Sequence, residues 1–137
     1  MTDKWKISLS LLLIALLVGC GIKTDDGLHI EKHDWTSTQA IDSAGQPLGL
    51  PALTCAAQNG ALTITDADGN EQSGTYSLVQ RGANDVLYDL SLYGENGTAV
   101  VSTTEYTDFS GGKEREYTLI LSLPEQTLYF RADWSKS

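Results

Sequence analysis

The sequence predicts an all-β protein, a single antiparallel meander closed into a small barrel or sandwich of about six to eight strands. Apolar and polar residues alternate with a period of two along most of the chain after residue 60, as in strands with one buried face. Turn dipeptides such as Asn59-Gly60 separate these segments at short intervals. No amphipathic helix follows residue 20 to cover a sheet, so the sheet must bury its apolar face by closing or folding over.

The first nineteen residues have the organisation of a signal peptide, for which we expect an N-terminal helix. Lys4 and Lys6 precede an apolar run over residues 7–18, which is too short to cross a bilayer comfortably. Gly19 and then Cys20 end the run. Two alternatives are a plain secretory signal, with Cys20 an ordinary cysteine, and an uncleaved membrane anchor.

The segment Leu17-Val18-Gly19-Cys20 resembles the lipobox of bacterial lipoproteins. The resemblance implies cleavage before Cys20, a diacylglyceryl thioether on its sulfur and an acylated amino group. Two or more acyl chains hold a protein stably at a bilayer. An extracytoplasmic protein, anchored through its lipid to the cell membrane or the outer membrane, is therefore expected. Residues 1–19 would be removed, residues 20–27 would form the lipidated cysteine and a tether, and residues 28–137 the β domain.

Composition limits the possible partners. Removal of residues 1–19 leaves 118 residues with 7 basic and 17 acidic side chains, a formal charge of −10. Such a surface repels phosphate groups, so nucleic acid is excluded as a partner. With Cys20 lipidated, Cys55 has no partner within the chain, and its apolar neighbours in sequence predict a small buried side chain.

Six strands are predicted from residue 61 onward by their alternation and by the turns between them. They cover residues 61–65, 74–79, 86–93, 98–106, 117–123 and 127–132. Two further strands are expected at residues 28–35 and 53–57, with a long loop at 36–49 between them. The longest polar loop of the second half is at residues 107–113. The side chains expected to line the interior are Tyr76, Leu78, Tyr88, Leu90, Leu119, Leu121 and Phe130.

This pattern resembles the small lipocalin-like barrels of bacterial lipoproteins over residues 61–132. The resemblance is carried by Gly-Thr-Tyr at 74–76, Tyr-Asp-Leu at 88–90 and Thr-Leu-Tyr-Phe at 127–130. The chain lacks the Gly-x-Trp motif that this family carries near the start of the domain. The resemblance therefore concerns the fold, and one fold serves many functions.

Two segments contain side chains of the kind that bind metal ions, but neither is predicted to bind one. His29, Glu31 and His33 have side chains suited to zinc, but neighbouring positions on one face of a strand lie about 6.6 Å apart. Three such residues do not converge on one ion without a bend. Residues 66–71 lack the ligand spacing of a calcium loop, and the turn chemistry of Asp and Gly explains them. No cofactor is predicted.

Catalysis has little support in the sequence, so we expect a protein that is not an enzyme. No Gly-x-Ser-x-Gly motif follows residue 20, and both histidines lie in one N-terminal patch. No pair of carboxylates is marked by its spacing as the acid and base of a glycosidase. The aromatic residues near segment ends are expected to plug the ends of the barrel: Trp35, Tyr129 and Trp134.

The expected function is that of a membrane-anchored envelope lipoprotein with a non-catalytic binding domain. It would act as an adaptor or inhibitor that contacts another envelope protein through a loop such as 107–113 or through a sheet edge. The alternative is a carrier that holds a small apolar ligand inside a hollow barrel. Its ligand-binding residues would be Tyr76, Tyr88, Leu90, Leu119 and Phe130.

Overall fold

The alternating segments form a closed barrel in a computed structural model that describes residues 28–49 and 52–132. A short 3₁₀ helix, Ile30–Lys32, precedes eight strands. They are β1 (Trp35–Asp42), β2 (Leu53–Gln58), β3 (Ala61–Asp66), β4 (Glu71–Arg81), β5 (Asp85–Leu92), β6 (Glu95–Thr107), β7 (Lys113–Ser122) and β8 (Gln126–Ala132). Each strand pairs antiparallel with the next, and β8 pairs with β1. The all-β antiparallel prediction is confirmed, and the architecture is a barrel rather than a sandwich.

The first part of the barrel differs from its prediction. The strand expected at residues 28–35 is the 3₁₀ helix and the first residue of β1, and the loop expected at 36–49 contains the rest of β1. Along β1 only Trp35 is buried, and a bulge between Ser37 and Gln39 shifts its pairing with β8. A bulge adds one residue to a strand and so breaks its period of two. This explains why the sequence pattern does not reveal β1.

Inward-facing side chains fill the barrel in layers. Val101 pairs with Leu119, and Leu119 pairs with Phe130, so these three share one layer. In the next layer the large ring of Tyr88 lies opposite Ala99, whose small side chain leaves room for it. Cys55 is buried with a free thiol, as predicted, and burial raises the pKa of that thiol to about 12.

Two side chains expected inside or at the ends of the barrel lie elsewhere. Leu78 is 60% exposed because β4 continues past the end of β3, so that part of β4 pairs with β5 on one side and with no described strand on the other. Tyr129 faces outward on β8, between the buried side chains of Leu128 and Phe130. The signal helix, the lipidation of Cys20, the tether at 20–27 and Trp134 fall outside the described residues.

The two ends of the barrel are built differently. Residues 28–34 lie across one end, which we call the plug end and which also holds the turns at 59–60, 82–84 and 108–112. We call the opposite end the far end; it holds the segment after β1 and the turns at 67–70, 93–94 and 123–125. Within the described part of the chain, no helix is long and apolar enough to cross a bilayer.

Gly97→Ala is expected to lower the free energy of unfolding by about 1–3 kcal/mol, the usual cost of overpacking. A Cβ at Gly97 would lie 2.0 Å from the backbone oxygen of Ser122 and 3.0 Å from the side chain of Leu123. Urea unfolding followed by circular dichroism measures the difference. Gly49→Ala is the matched control, because a Cβ there meets no atom within 4 Å. Equal stability of the two variants would contradict this account of β6 packing against β7.

Candidate functional site

A plug formed by residues 28–34 closes one end of the barrel. Leu28 and Ile30 insert their side chains into the mouth and are fully buried. The amide of Ile30 donates a hydrogen bond of 3.0 Å to the hydroxyl of Tyr88, and Trp35 Nε1 donates one of 3.0 Å to the carbonyl of Ile30. Trp35 is itself fully buried beside the plug and closes this end of the barrel, as expected. Both backbone polar groups of Ile30 are therefore satisfied inside the mouth.

A carboxylate fastens the outer side of the plug. Glu31 accepts hydrogen bonds from the hydroxyl of Tyr76 and from the amide of Asn59, the latter at 2.8 Å. The bond from Tyr76 is the main cause that holds the pKa of Glu31 below its usual value, and the amide of Asn59 adds to it. Burial, together with the same carboxylate, raises the pKa of Tyr76 to about 12. Glu31 thus joins the plug to the β2–β3 turn and to β4.

The two histidines pack against aromatic rings. His33 lies 4.6 Å from Tyr117 and 5.2 Å from Trp35, measured between ring centroids. The ring of His29 meets the edge of Tyr88 at 6.1 Å. The 3₁₀ helix gives residues 29, 31 and 33 different directions, whereas a strand would place all three on one face. Among the described residues, no three His, Cys, Asp or Glu side chains are grouped so that they could hold a metal ion.

The structure brings all five candidate ligand-binding residues into the barrel interior. The rings of Tyr76 and Tyr88 meet edge to face, with centroids 5.5 Å apart. None of the five side chains is more than 8% exposed, and Leu119 has no exposed surface. They contact one another and the plug, so in this conformation side chains occupy the space that a ligand would need.

The part of β4 nearest the plug end has a free edge. The last residue pair between β3 and β4 is Ala61 with Thr75. One further hydrogen bond follows, in which the amide of Tyr76 donates to the carbonyl of Gly60 at 3.0 Å. Beyond it, only β5 pairs with β4 among the described strands. Because backbone groups alternate in direction, those of Leu78 face the same open side as the amide of Tyr76.

Apolar side chains accompany this edge. Leu78 is 60% exposed and Val79 is 50% exposed. Val79 is the extra residue of a bulge in the pairing of β4 with β5. An open strand edge with apolar side chains is a template for an added strand. We call residues 77–81 the free edge of β4.

The predicted loop at 107–113 is the tip of a ribbon that extends from the barrel. β6 and β7 continue past their other neighbours for five residue pairs, from Thr103 with Tyr117 to Thr107 with Lys113. At the tip, Asp108 Oδ1 accepts hydrogen bonds from the amides of Ser110 and Gly112, at 2.9 and 2.8 Å. The hydroxyl of Ser110, at 2.7 Å, is the main cause that holds the pKa of Asp108 below its usual value.

Full exposure of an aromatic side chain distinguishes this ribbon from the other hairpins of the described residues. Phe109 is fully exposed at the tip, and Tyr106 is 43% exposed below it. Four of the five exposed large hydrophobic side chains of the described residues are at the plug end: Leu78, Val79, Tyr106 and Phe109. The fifth, Tyr93, is at the far end. Sequence alternation does not identify this concentration, since it depends on which strands end early.

The ribbon tip also contains a motif that the sequence reasoning missed. Ser110 and Lys113 have the Ser-x-x-Lys spacing of some serine nucleophiles. Here Ser110 is exposed in the turn, and Lys113 is the exposed first residue of β7. The hydroxyl of Ser110 donates to Asp108, so the serine is bound to a carboxylate rather than to the lysine.

Comparisons with known proteins do not add a family to these observations. No family model, no curated protein and no solved structure matches this chain. The site must therefore be interpreted from its own geometry: a filled interior, a plugged mouth, and two exposed apolar elements beside that mouth.

Glu31→Gln is expected to lower the free energy of unfolding by about 1 kcal/mol near neutral pH, because a neutral amide oxygen accepts a weaker hydrogen bond from Tyr76 than the carboxylate does, at a position that solvent screens. The pKa of Glu31 in the folded protein lies below its usual value of 4.5. The stability that the charged carboxylate of Glu31 contributes is therefore fully present above pH 4.5 and is lost as the pH falls through the lower pKa of the folded protein. Urea unfolding at about pH 7 and about pH 3 should show the gap between wild type and variant shrinking in acid.

Tyr76→Phe is the matched variant on the donor side, because it removes the hydroxyl that donates to Glu31 and keeps the ring inside the barrel. Its effect near neutral pH should resemble that of Glu31→Gln, and the double variant should lose little more than either single variant. Fully additive losses would mean that the two residues act independently.

Proposed function

We propose that this protein is a bacterial envelope lipoprotein, anchored in a membrane through acylated Cys20, and that its barrel is a non-catalytic adaptor or inhibitor domain that binds another envelope protein. The lipobox-like end of the leader supports the anchor. The free edge of β4 is the observation that carries the binding role, because a partner strand can pair with its backbone and cover its apolar side chains.

The partner segment that fits this edge is an extended one. Backbone groups of Leu78 face the open side, and its apolar side chain stands beside them with 60% of its surface exposed. Addition of a strand gives affinity through main-chain hydrogen bonds and specificity through alternate side chains. An extended segment with apolar residues at alternate positions therefore matches the chemistry of residues 77–81.

Carriage of a small apolar ligand remains the alternative. It requires the interior to open, since the side chains of Tyr88, Leu90 and Leu119 are at most 3% exposed. Opening would also release the Ile30 amide from Tyr88, leaving a polar group of the plug without its present partner. The packed interior therefore favours binding at the surface. A carrier would show extra mass in native mass spectrometry that disappears on denaturation.

A photo-reactive phenylalanine analogue at Val79 is expected to crosslink one discrete partner in the intact envelope of the bacterium that encodes the protein. Leu78→Lys in the same chain should abolish that crosslink, because charged side chains on an edge prevent strand addition. Ser91→Lys, on the exposed outer face of β5, is the control and should leave the crosslink intact. A crosslink that survives Leu78→Lys would exclude the free edge as the binding surface.

Cys20→Ser is expected to abolish labelling of the protein with radioactive fatty acid and to release the domain from membranes. The serine hydroxyl cannot form the thioether that the lipobox resemblance implies. Cys55→Ser, which alters the buried cysteine, should leave labelling unchanged. Labelling that persists in the Cys20 variant would contradict the proposed anchor.

A further inference from the structure

The tip of the β6–β7 ribbon presents an aromatic side chain to solvent in a fixed turn. Asp108 accepts three hydrogen bonds, from the amides of Ser110 and Gly112 and from the hydroxyl of Ser110. These bonds hold the backbone on both sides of Phe109, whose side chain is fully exposed. An exposed large apolar side chain at a rigid, projecting position is typical of a contact surface.

The chain enters the barrel at the same end. Leu28 is buried in the plugged mouth, and Cys20 precedes it by eight residues. A chain of this length spans at most about 29 Å when extended and averages about 14–17 Å as a random coil. The tether proposed for residues 20–27 therefore keeps the plug end within a short distance of the bilayer.

The height of the ribbon is comparable with that distance. Its five residue pairs beyond the neighbouring strands correspond to a strand length of about 17 Å, at 3.3–3.4 Å per residue, and to a height of about 12–14 Å at the usual tilt of barrel strands. A bilayer held by the tether would thus lie at the level of Phe109 without stretching of the tether. A protein partner has no such fixed distance from the mouth, whereas the anchoring membrane does.

Charge distribution also distinguishes the two ends. The basic side chains of the described residues all lie at the plug end: Lys32, Arg81, Lys113, Arg115 and Arg131. They are mixed there with seven acidic side chains: Glu31, Asp34, Asp85, Glu105, Asp108, Glu114 and Glu116. The far end carries only acidic side chains among those described: Asp42, Asp66, Asp68, Glu71, Glu95 and Glu125. Anionic lipid headgroups therefore repel the far end more strongly than the plug end.

We infer that Phe109 is a second contact with the phospholipid bilayer that anchors the protein, and that the plug end faces this bilayer. The inference rests on the proposed lipidation of Cys20. The acyl chains keep the protein at the membrane, and the contact of Phe109 sets the orientation of the barrel relative to the bilayer. The ribbon acts as a spacer, so the plugged mouth and the free edge of β4 lie close to the headgroups while the acidic far end points away.

The test uses the full-length lipidated protein in vesicles of phosphatidylethanolamine and phosphatidylglycerol. Thr107→Cys, exposed two residues before Phe109, provides a site for an environment-sensitive fluorophore that keeps Phe109 in place, since Cys55 is buried and lipid occupies Cys20. Ser43→Cys, exposed at the far end, is the matched control. We expect a blue-shifted emission at position 107 and severalfold stronger quenching by nitroxide-labelled lipids than at position 43.

Each other outcome has a defined meaning. If the protein does not float with the vesicles, the proposed anchor fails. If it floats but the label at position 107 is quenched by aqueous iodide as strongly as the label at position 43, the bilayer contact is wrong although the anchor is right. If the label at position 107 is shielded in native envelopes but not in lipid vesicles, a protein covers the tip, and that result also overturns the inference.

Discussion

The plug is stable in the barrel mouth because both backbone polar groups of Ile30 find partners there. Its amide is bound by the hydroxyl of Tyr88, and its carbonyl by the indole of Trp35. Without them, burial of Leu28 and Ile30 would leave a buried donor and acceptor unpaired, at a cost that cancels much of the hydrophobic gain. Two features depend on this arrangement. The plug fills the mouth of the barrel, and it fixes the end at which the chain enters, which is also the end where most of the exposed apolar side chains lie.

Alternation of apolar and polar residues predicts the strands from residue 61 onward, because each has one face in the core. It does not predict β1, whose bulge at residues 37–39 breaks the period. It also misplaces Leu78, because the period shows which face a side chain takes but not where the neighbouring strand ends. The alternation does not predict the plug either. Leu28 and Ile30 have the spacing of two inward-facing residues of a strand, but a 3₁₀ turn directs their side chains into the mouth.

The proposed roles of the two exposed elements are compatible because both lie at the plug end. With Phe109 in the bilayer interface, the free edge of β4 would lie near the headgroups, which restricts the partner to a segment close to the same membrane. Such a restriction replaces a search in three dimensions with one along a surface, so a modest intrinsic affinity of residues 77–81 would be sufficient.

The seam between β1 and its neighbours has a consequence for the order of folding. Only two residue pairs join β1 to β2, whereas seven join it to β8, from the opposite end of the chain. The hydroxyl of Thr38 and the carbonyl of Tyr129, which meet across this seam, are 91 residues apart in sequence. The strands β2 to β8 can form as successive local hairpins, but β1 must wait for the last strand. If the protein is exported with its N-terminus leading, as the proposed lipoprotein leader requires, the barrel can close only after β8 has crossed the membrane.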